Sequence, residues 1–366
     1  MIGQLVFRNS IHRPVRAFVS VAAVAMEVTL VLIIVGLTGG MLQEVGKRLE
    51  GVGADIMVQP SNASIMLAFN GAPMPIKIGD KLATLKYVQA VAPVLLQFNS
   101  SGGIDVIYGI DPTSFHAVSG GFIFLDGHDM EGPDDLLVDD WAAKSKNIQA
   151  GQTYRLLEHD FHVAGIVEHG KGARLFIPLQ TLQDLSGARD KASIFFVKCT
   201  RPEHTKAVMD DIHALLPNNE IRPLQDYISL MTSANIPGLD AFIDSMIALA
   251  VCIGFLVIFL SMYTTVIERT RDIGVLKSLG ASKGYIVKAL LSEASLICGV
   301  GIIAGVVLSY STRSLLVSAF PTLAIHITVD WVARAAAIAV IGGLLGAAYP
   351  AWLATRKDPV EALFYD

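Results

Sequence analysis

A compact charged group stands between two long apolar runs at Glu268 to Ser282, ERTRDIGVLKSLGAS. Glu268, Arg269, Arg271 and Asp272 lead into Ile273, Leu276 and Leu279, which recur at helical spacing. Gly280 supplies a stop, and Ser282 is placed to cap a following helix. A short helix with apolar anchors and mixed charges suits docking in a groove of another protein. The alternative is an ordinary basic loop kept at the cytoplasmic face by its Lys and Arg residues.

Two acids stand inside apolar runs. Glu27 lies ten residues beyond Ala17, roughly 15 Å along a helix and close to a bilayer midplane. An acid there must be protonated, paired or facing a wet cavity. One reading pairs two Glu27 residues across a dimer in a substrate or proton site. The other gives it a hydrogen bond to Ser261, Thr264 or Thr265. Glu293 lies nearer the end of its run. Gly301 and Gly305 form a small-xxx-small face that lets helix backbones approach.

Other reactive residue types do not assemble into a catalytic or metal pattern. His159 and His162, three apart on a strand, point to opposite faces and would not converge with His169 on a metal. The acids of DGHDMEGPDD read as a solvated, turn-rich run. Neither Ser/His/Asp order nor the spacing of Cys199, Cys252 and Cys298 suggests a nucleophile or a disulfide.

The elements that must hold these residues are membrane spans. Of 366 residues 52% are hydrophobic and 17% charged, and the mean hydropathy is +0.53, which excludes a soluble domain of average composition. Ala17–Met41, Met246–Ile267, Val287–Leu308 and Val332–Leu353 are each long enough to cross about 30 Å of hydrocarbon. The first is too long for a cleavable signal segment, and GLTGG offers no small-x-small cleavage site. Basic residues flank the spans at Arg8, Arg13 and Arg16, at Arg269, Arg271, Lys277 and Lys283, and at Arg356 and Lys357. These flanks are assigned to the cytoplasm, and the long polar segment from Gln43 to Gly238 to the outside.

That outer segment alternates short β-rich runs, such as ADIMVQP, VLLQF, IDVIYGID and ASIFFVKCT, with helical patterns such as EHTKAVMDDIHALL. Its middle, LLVDDWAAKSKNIQAGQTYRLLEHDFHVAGIV onward, predicts a helix at Trp141–Lys146, hairpins punctuated by Gly151 and Gly165, and a helix after Pro178. It reads as a β-rich lobe inserted into a mixed α/β domain. Met66, Leu67, Phe69 and Met74 in the loop at Ser61–Pro75 are expected to be exposed, as a contact for substrate or partner; a loop folded back on its own domain is the alternative.

ERTRDIGVLKSLGASKGYIVKALLSEASL, with Gly301 and Gly305 behind it, resembles the signature region of the FtsX/MacB-type ABC transporter permeases. YPAWLATRKDPVEAL resembles that family's C-terminal pattern, LVFRNSIHRPVRAFVSV its amphipathic N-terminal helix, and the LLVDDWAAKSKNIQAGQ stretch its inserted periplasmic lobe. The resemblance implies an α-helical membrane protein with four transmembrane helices and a large mixed α/β extracytoplasmic domain between the first and second spans. The expected plan has an amphipathic helix at 1–16 and spans at 17–41, 241–267, 285–310 and 332–354. A periplasmic domain fills 42–240, with its core lobe at 50–112 and 190–230 and the inserted lobe at 113–189. A coupling elbow at 268–284, a short outer loop at 311–331 and a cytoplasmic tail at 355–366 complete the plan.

It further implies a bacterial inner-membrane permease, dimeric with itself or with a second permease, whose ABC ATPase docks on Glu268, Arg269, Arg271, Asp272, Ile273, Gly274, Leu276, Lys277, Leu279, Gly280 and Ala281. The chain contains no G-x-x-x-x-G-K-[ST] loop, so ATP and Mg are assigned to the partner ATPase and no cofactor or enzymatic role to this chain. The implied function is export of a hydrophobic, peptide or lipid-like substrate with a periplasmic adaptor and an outer-membrane channel. Lipoprotein or lipid release of the LolC/LolE type and FtsX-like control of cell-wall hydrolases are the alternatives.

Overall fold

The computed structural model describes residues 14–61, 73–99, 105–229, 236 and 238–356. Within them the chain forms two compact units, one of residues 14–39, 238–318 and 325–356, and one of the described residues between 40 and 236 with 319–324. The expected N-terminal amphipathic helix, apart from its last residues, and the tail beyond 356 lie outside the described residues.

In chain order the elements are α1 (Pro14–Glu50), β1 (Ile56–Pro60), β2 (Met74–Pro75), α2 (Lys77–Ala83), β3 (Val88–Asn99), β4 (Asp105–Ile110), α3 (Pro112–Ser119), β5 (Phe124–Gly127), β6 (Asp135–Asp139), α4 (Asp140–Lys146), β7 (Thr153–Leu156), β8 (His159–Val167), β9 (Leu175–Pro178) and α5 (Leu179–Ser186). There follow β10 (Lys191–Ala192), β11 (Ile194–Cys199), α6 (Thr205–Leu215), β12 (Asn219–Pro223), α7 (Leu224–Ser229), α8 (Leu239–Glu268), α9 (Thr270–Ser278), α10 (Lys283–Ala319) and α11 (Val329–Arg356).

The first unit is a four-helix arrangement. α1, α8, α10 and α11 are long and apolar enough to cross a membrane. Each outlasts the apolar stretch it contains; α1 runs on through Gly46 to Glu50 and α10 to Ala319. Their shared core comprises Val24, Val28, Val31 and Leu32 of α1, Ala250, Ile258 and Met262 of α8, Ala294, Ile297 and Cys298 of α10, and Ala335, Ala339 and Ala347 of α11. Outward-facing Leu256, Ile303, Val307 and Ile341 are exposed, as hydrocarbon-facing residues should be in a chain that spans a bilayer.

The second unit is built on one ten-stranded mixed sheet, ordered β12-β1-β11-β3-β4-β9-β6-β8-β5, with β7 paired to β8. The inserted β-rich stretch is therefore not a separate lobe. It joins the sheet where β9 runs parallel to β4, with Ile107 opposite Leu175 and Gly109 opposite Ile177, and where β9 pairs antiparallel with β6. β3 begins at Val88, six residues before the VLLQF run, because its first half alternates against β11 with Val91 opposite Val197. Apolar residues cover both faces: Phe115, Phe176 and Phe196 lie in one core cluster, Phe161, Leu175 and Leu182 in a second, Phe195, Val208 and Ile212 in a third.

Candidate functional site

The chain turns at Arg269, whose backbone N–H still reaches Thr265 O at 3.1 Å. Thr270 Oγ1 donates to Val266 O at 3.0 Å and Ile267 O at 2.8 Å, which satisfies carbonyls that the end of α8 leaves open. α9 then runs for nine residues. Gly280, at φ +92°, closes it in a left-handed conformation that a side chain would strain. Ser282 Oγ accepts from Tyr285 N at 3.2 Å and starts α10.

Two polar ties fix this elbow to its own bundle. The Arg269 guanidinium lies 3.4 Å from Glu293 Oε2 of α10. Lys277 Nζ donates to Thr355 O at 2.8 Å in the last turn of α11, where exposed carbonyls favour a cation. Ile273 is buried with Val266, Ile286, Leu290, Ala351 and Ala354, so it is an inward anchor and not part of a docking face. Leu276 and Leu279, 44% and 79% exposed, lie outward with Val275, Arg271 and Asp272. A rigid helix thus presents three adjacent apolar side chains beside one cation and one anion.

Glu293 sits inside the bundle and holds the Arg269 end of the elbow. Glu27 is 7% exposed and Oε1 has no hydrogen-bond partner. The hydroxyls expected to receive it are used elsewhere: Ser261 Oγ accepts from Ser20 Oγ at 2.7 Å, Thr265 Oγ1 donates to Ser261 O at 2.7 Å, and Thr264 Oγ1 donates to Leu260 O at 2.9 Å. Glu27 faces Gly254 of α8 instead, where Oε2 would stand 1.9 Å from any added Cβ.

Gly301 and Gly305 bring α10 against α1. A Cβ at 301 would meet Val24 Cβ at 2.6 Å, and one at 305 would meet Ala25 O and Val28 Cβ at 2.8 Å. Thr29 Oγ1 donates across this contact to Gly305 O at 3.1 Å. Gly343 and Gly346 do the same for α11, against Cys298 Sγ at 2.4 Å and Phe255 O at 2.8 Å. The sequence signal for this second pair was the run IGGLLGAA, small residues at close spacing in a span.

In the outer unit His159, His162 and His169 each lie beside a different aspartate. His159 Nε2 lies 2.8 Å from Asp134, His162 Nδ1 3.5 Å from Asp135, and His169 Nδ1 2.8 Å from Asp140. The acidic run is occupied by its own turns: Asp126, Asp129 and Asp135 accept from the N–H groups of Gly127, Met130 and both Glu131 and Gly132. Burial raises the Asp135 carboxyl, but these bonds and His162 outweigh it and leave the group below its ordinary value. Met74, expected on an exposed contact loop, is 5% exposed and packs beside Leu82 and Phe195; β2 pairs with β10 and turns it inward. Met66, Leu67 and Phe69 lie outside the described residues.

A buried ionic group went unread in the sequence. Asp139 accepts from Ala142 N at 2.6 Å as the cap of α4, and its Oδ2 lies 3.8 Å from Arg174 Nη1. Arg174 Nη2 donates to Thr322 O at 3.1 Å and its guanidinium lies over the Trp141 ring. Arg48, near the end of α1, adds a second cation near Asp139. Burial pushes the Asp139 carboxyl up to about 6; the Ala142 N–H and the two arginines pull it back only in part.

Residues 17–215 match the family profile described as the MacB-like periplasmic core domain, and residues 245–359 match the FtsX-like permease C-terminal profile. The macrolide export ATP-binding/permease protein MacB of Sodalis glossinidius (strain morsitans) is 25% identical over 384 residues, covering 96% of this chain and 58% of that protein. The pyoverdine export ATP-binding/permease protein PvdT of Pseudomonas savastanoi pv. phaseolicola is 30% identical over 230 residues, covering 57% and 34%. The chain thus spans about half the length or less of these relatives. The crystal structure of the periplasmic region of MacB from Actinobacillus actinomycetemcomitans superposes with a TM-score of 0.39 at 17% identity, over 49% of this chain and 92% of that one. With four apolar helices, a mixed α/β domain between the first two, and family profiles that together cover most of its length, the chain belongs to the MacB-type ABC transporter permeases, as a membrane protein with an extracytoplasmic domain.

Proposed function

We propose that this chain is the membrane subunit through which ATP hydrolysis by an ABC ATPase on the cytoplasmic side drives movement of the outer domain and export of a hydrophobic, peptide or lipid-like substrate. The exposed Val275, Leu276 and Leu279 face of α9 carries this reading. Apolar side chains held on a short helix, which is tied to the bundle through Arg269–Glu293 and Lys277–Thr355, suit a groove in a partner. Force applied to α9 would pass directly to α8, α10 and α11. ATP and Mg belong to the partner in this scheme. In this reading the elbow and both termini lie in the cytoplasm, an orientation favoured by the basic flanks, the outer domain lies in the periplasm, and the permease works as a dimer in the inner membrane. The names of MacB and PvdT relatives, one macrolide and one pyoverdine export, support export as the direction of transport.

The docking face is tested by Leu276→Asp. Side chain 276 is exposed, so the variant should insert and fold as the native chain does. Purified from its native membrane in mild detergent, the native chain should bring an ABC ATPase with it, and the variant should lose most of it. Equal ATPase recovery from both would remove the docking assignment. A periplasmic adaptor among the recovered proteins supports export; bound lipoprotein and a second permease would favour release from the membrane.

A further inference from the structure

The intramembrane carboxyl of Glu27 is not absorbed by the elbow or by helix packing. It projects from α1 on the same face as Val24, Val28 and Val31, which lie in the bundle core with Ala250, Ile258, Cys298 and Ala339. Oε2 occupies the space that a side chain at 254 would take, so the carboxyl fits only because α8 carries glycine there. Oε1 is buried with no hydrogen-bond partner. Between Ala17 and Met41 it is the one charged residue type in α1, and Met246–Ile267 of α8 contains none. From α10 the facing titratable group is the Cys298 thiol, whose Sγ reaches Ala339 O of α11 at 3.8 Å. Glu293 of α10 is engaged with Arg269. No cation among these groups neutralises Glu27.

A bare carboxylate in such a place is opposed by the loss of hydration and by the absence of any donor for Oε1. A proton removes the charge and leaves an acid of nearly the same shape. We propose that Glu27 is a proton-binding site within the transmembrane bundle, roofed by Gly254, and that it holds its proton for as long as α1 and α8 remain packed. The step is simple in atoms: the carboxylate takes one proton when the contact closes, and yields it to water when α1 and α8 part enough to wet position 27. This does not depend on the export reading, because it concerns the permease with no nucleotide or substrate present.

The test is infrared spectroscopy of the purified full-length permease in lipid nanodiscs, following the carbonyl stretch of a neutral carboxylic acid from acid to neutral pH. Exposed carboxyls titrate near about 4 and are ionised at about pH 7. The expected result is a neutral-acid band in the native chain at pH 7 that loses intensity in Glu27→Gln, which keeps shape without the titrating group. No such band in the native chain at that pH overturns the proposal with no variant needed. A band of undiminished intensity in Glu27→Gln belongs to other acids and overturns it equally. Gly254→Ala forces the carboxyl from its slot and should shift the frequency of the band; an unmoved band would overturn the role given to Gly254.

Discussion

At the scale of single residues, the chain shows how little a side chain's type says about its state. Asp139 reads in the sequence as one acid among several in a polar segment. Folding buries it, which pushes its carboxyl up to about 6 although the helix-cap bond from Ala142 and the nearby arginines pull it back in part. Because that value lies above the ordinary one of about 4, the folded state holds a proton that the unfolded chain has lost. This contribution to stability is fully present below about pH 4, declines as pH rises toward about 6, and is level beyond. Asp135 and Asp140, both held below the ordinary value, act in the opposite direction and in a more acidic window. The stability of the native chain relative to Asp139→Asn should therefore fall between about pH 4 and 6, followed by thermal unfolding in one detergent across that range. A flat difference would show that the carboxyl titrates normally.

At the scale of elements, hydropathy and charge were enough to place four spans and the elbow, because both signals are local. The direction of each elbow side chain was not local. Ile273, Leu276 and Leu279 share helical spacing, yet Ile273 packs among α8, α10 and α11 residues while the leucines stay outside; the tie from Lys277 to Thr355 helps to set that rotation, and its acceptor lies 78 positions away. Glycines divide in the same way. Gly301 and Gly305 announce themselves by their spacing, whereas Gly254 acquires a purpose only once Glu27 is seen opposite. These contacts predict that Gly301→Leu, set against the Val24 Cβ at 2.6 Å, overpacks the α10–α1 seam by about 1–3 kcal/mol or more. Gly284→Ala, where an added Cβ meets nothing within 4 Å, should be close to neutral or slightly favourable within a helix. Unfolding of the purified permease by increasing denaturing detergent should separate the two, and equal midpoints would refute the seam.

At the scale of the whole chain, the gap between sequence and structure lies in long-range pairing. β1, β3, β4 and β11 of the outer unit were visible as apolar runs and β7 and β8 as hairpins around turn glycines, whereas β5 and β12 were not. The order of the strands was not visible, because the partner of a strand is chosen by which edge is left open, and that is a property of the assembled sheet. The inserted segment looked separable since its strands are consecutive in the chain. In the folded unit β9 inserts between β4 and β6, so the ladder bonds of Ile107–Ile110 with Leu175–Pro178 belong equally to both parts. Gly109 adds to this seam: a Cβ there would meet Leu182 at 2.8–2.9 Å, so α5 closes directly onto β4. If the sheet is one cooperative body, amides of β4 and β9 should exchange with a common opening free energy, and one close to that of β3 and β11 at the other side of the seam. Native-state hydrogen exchange read by mass spectrometry on the full chain measures this directly. Exchange of β6, β8 and β9 as a group well ahead of β3 and β11 would mean that the insertion opens on its own, and that the β4–β9 pairing transmits less than its geometry suggests. Gly109→Ala sharpens the comparison, since crowding Leu182 should weaken the β4–β9 seam selectively and split a common exchange rate into two.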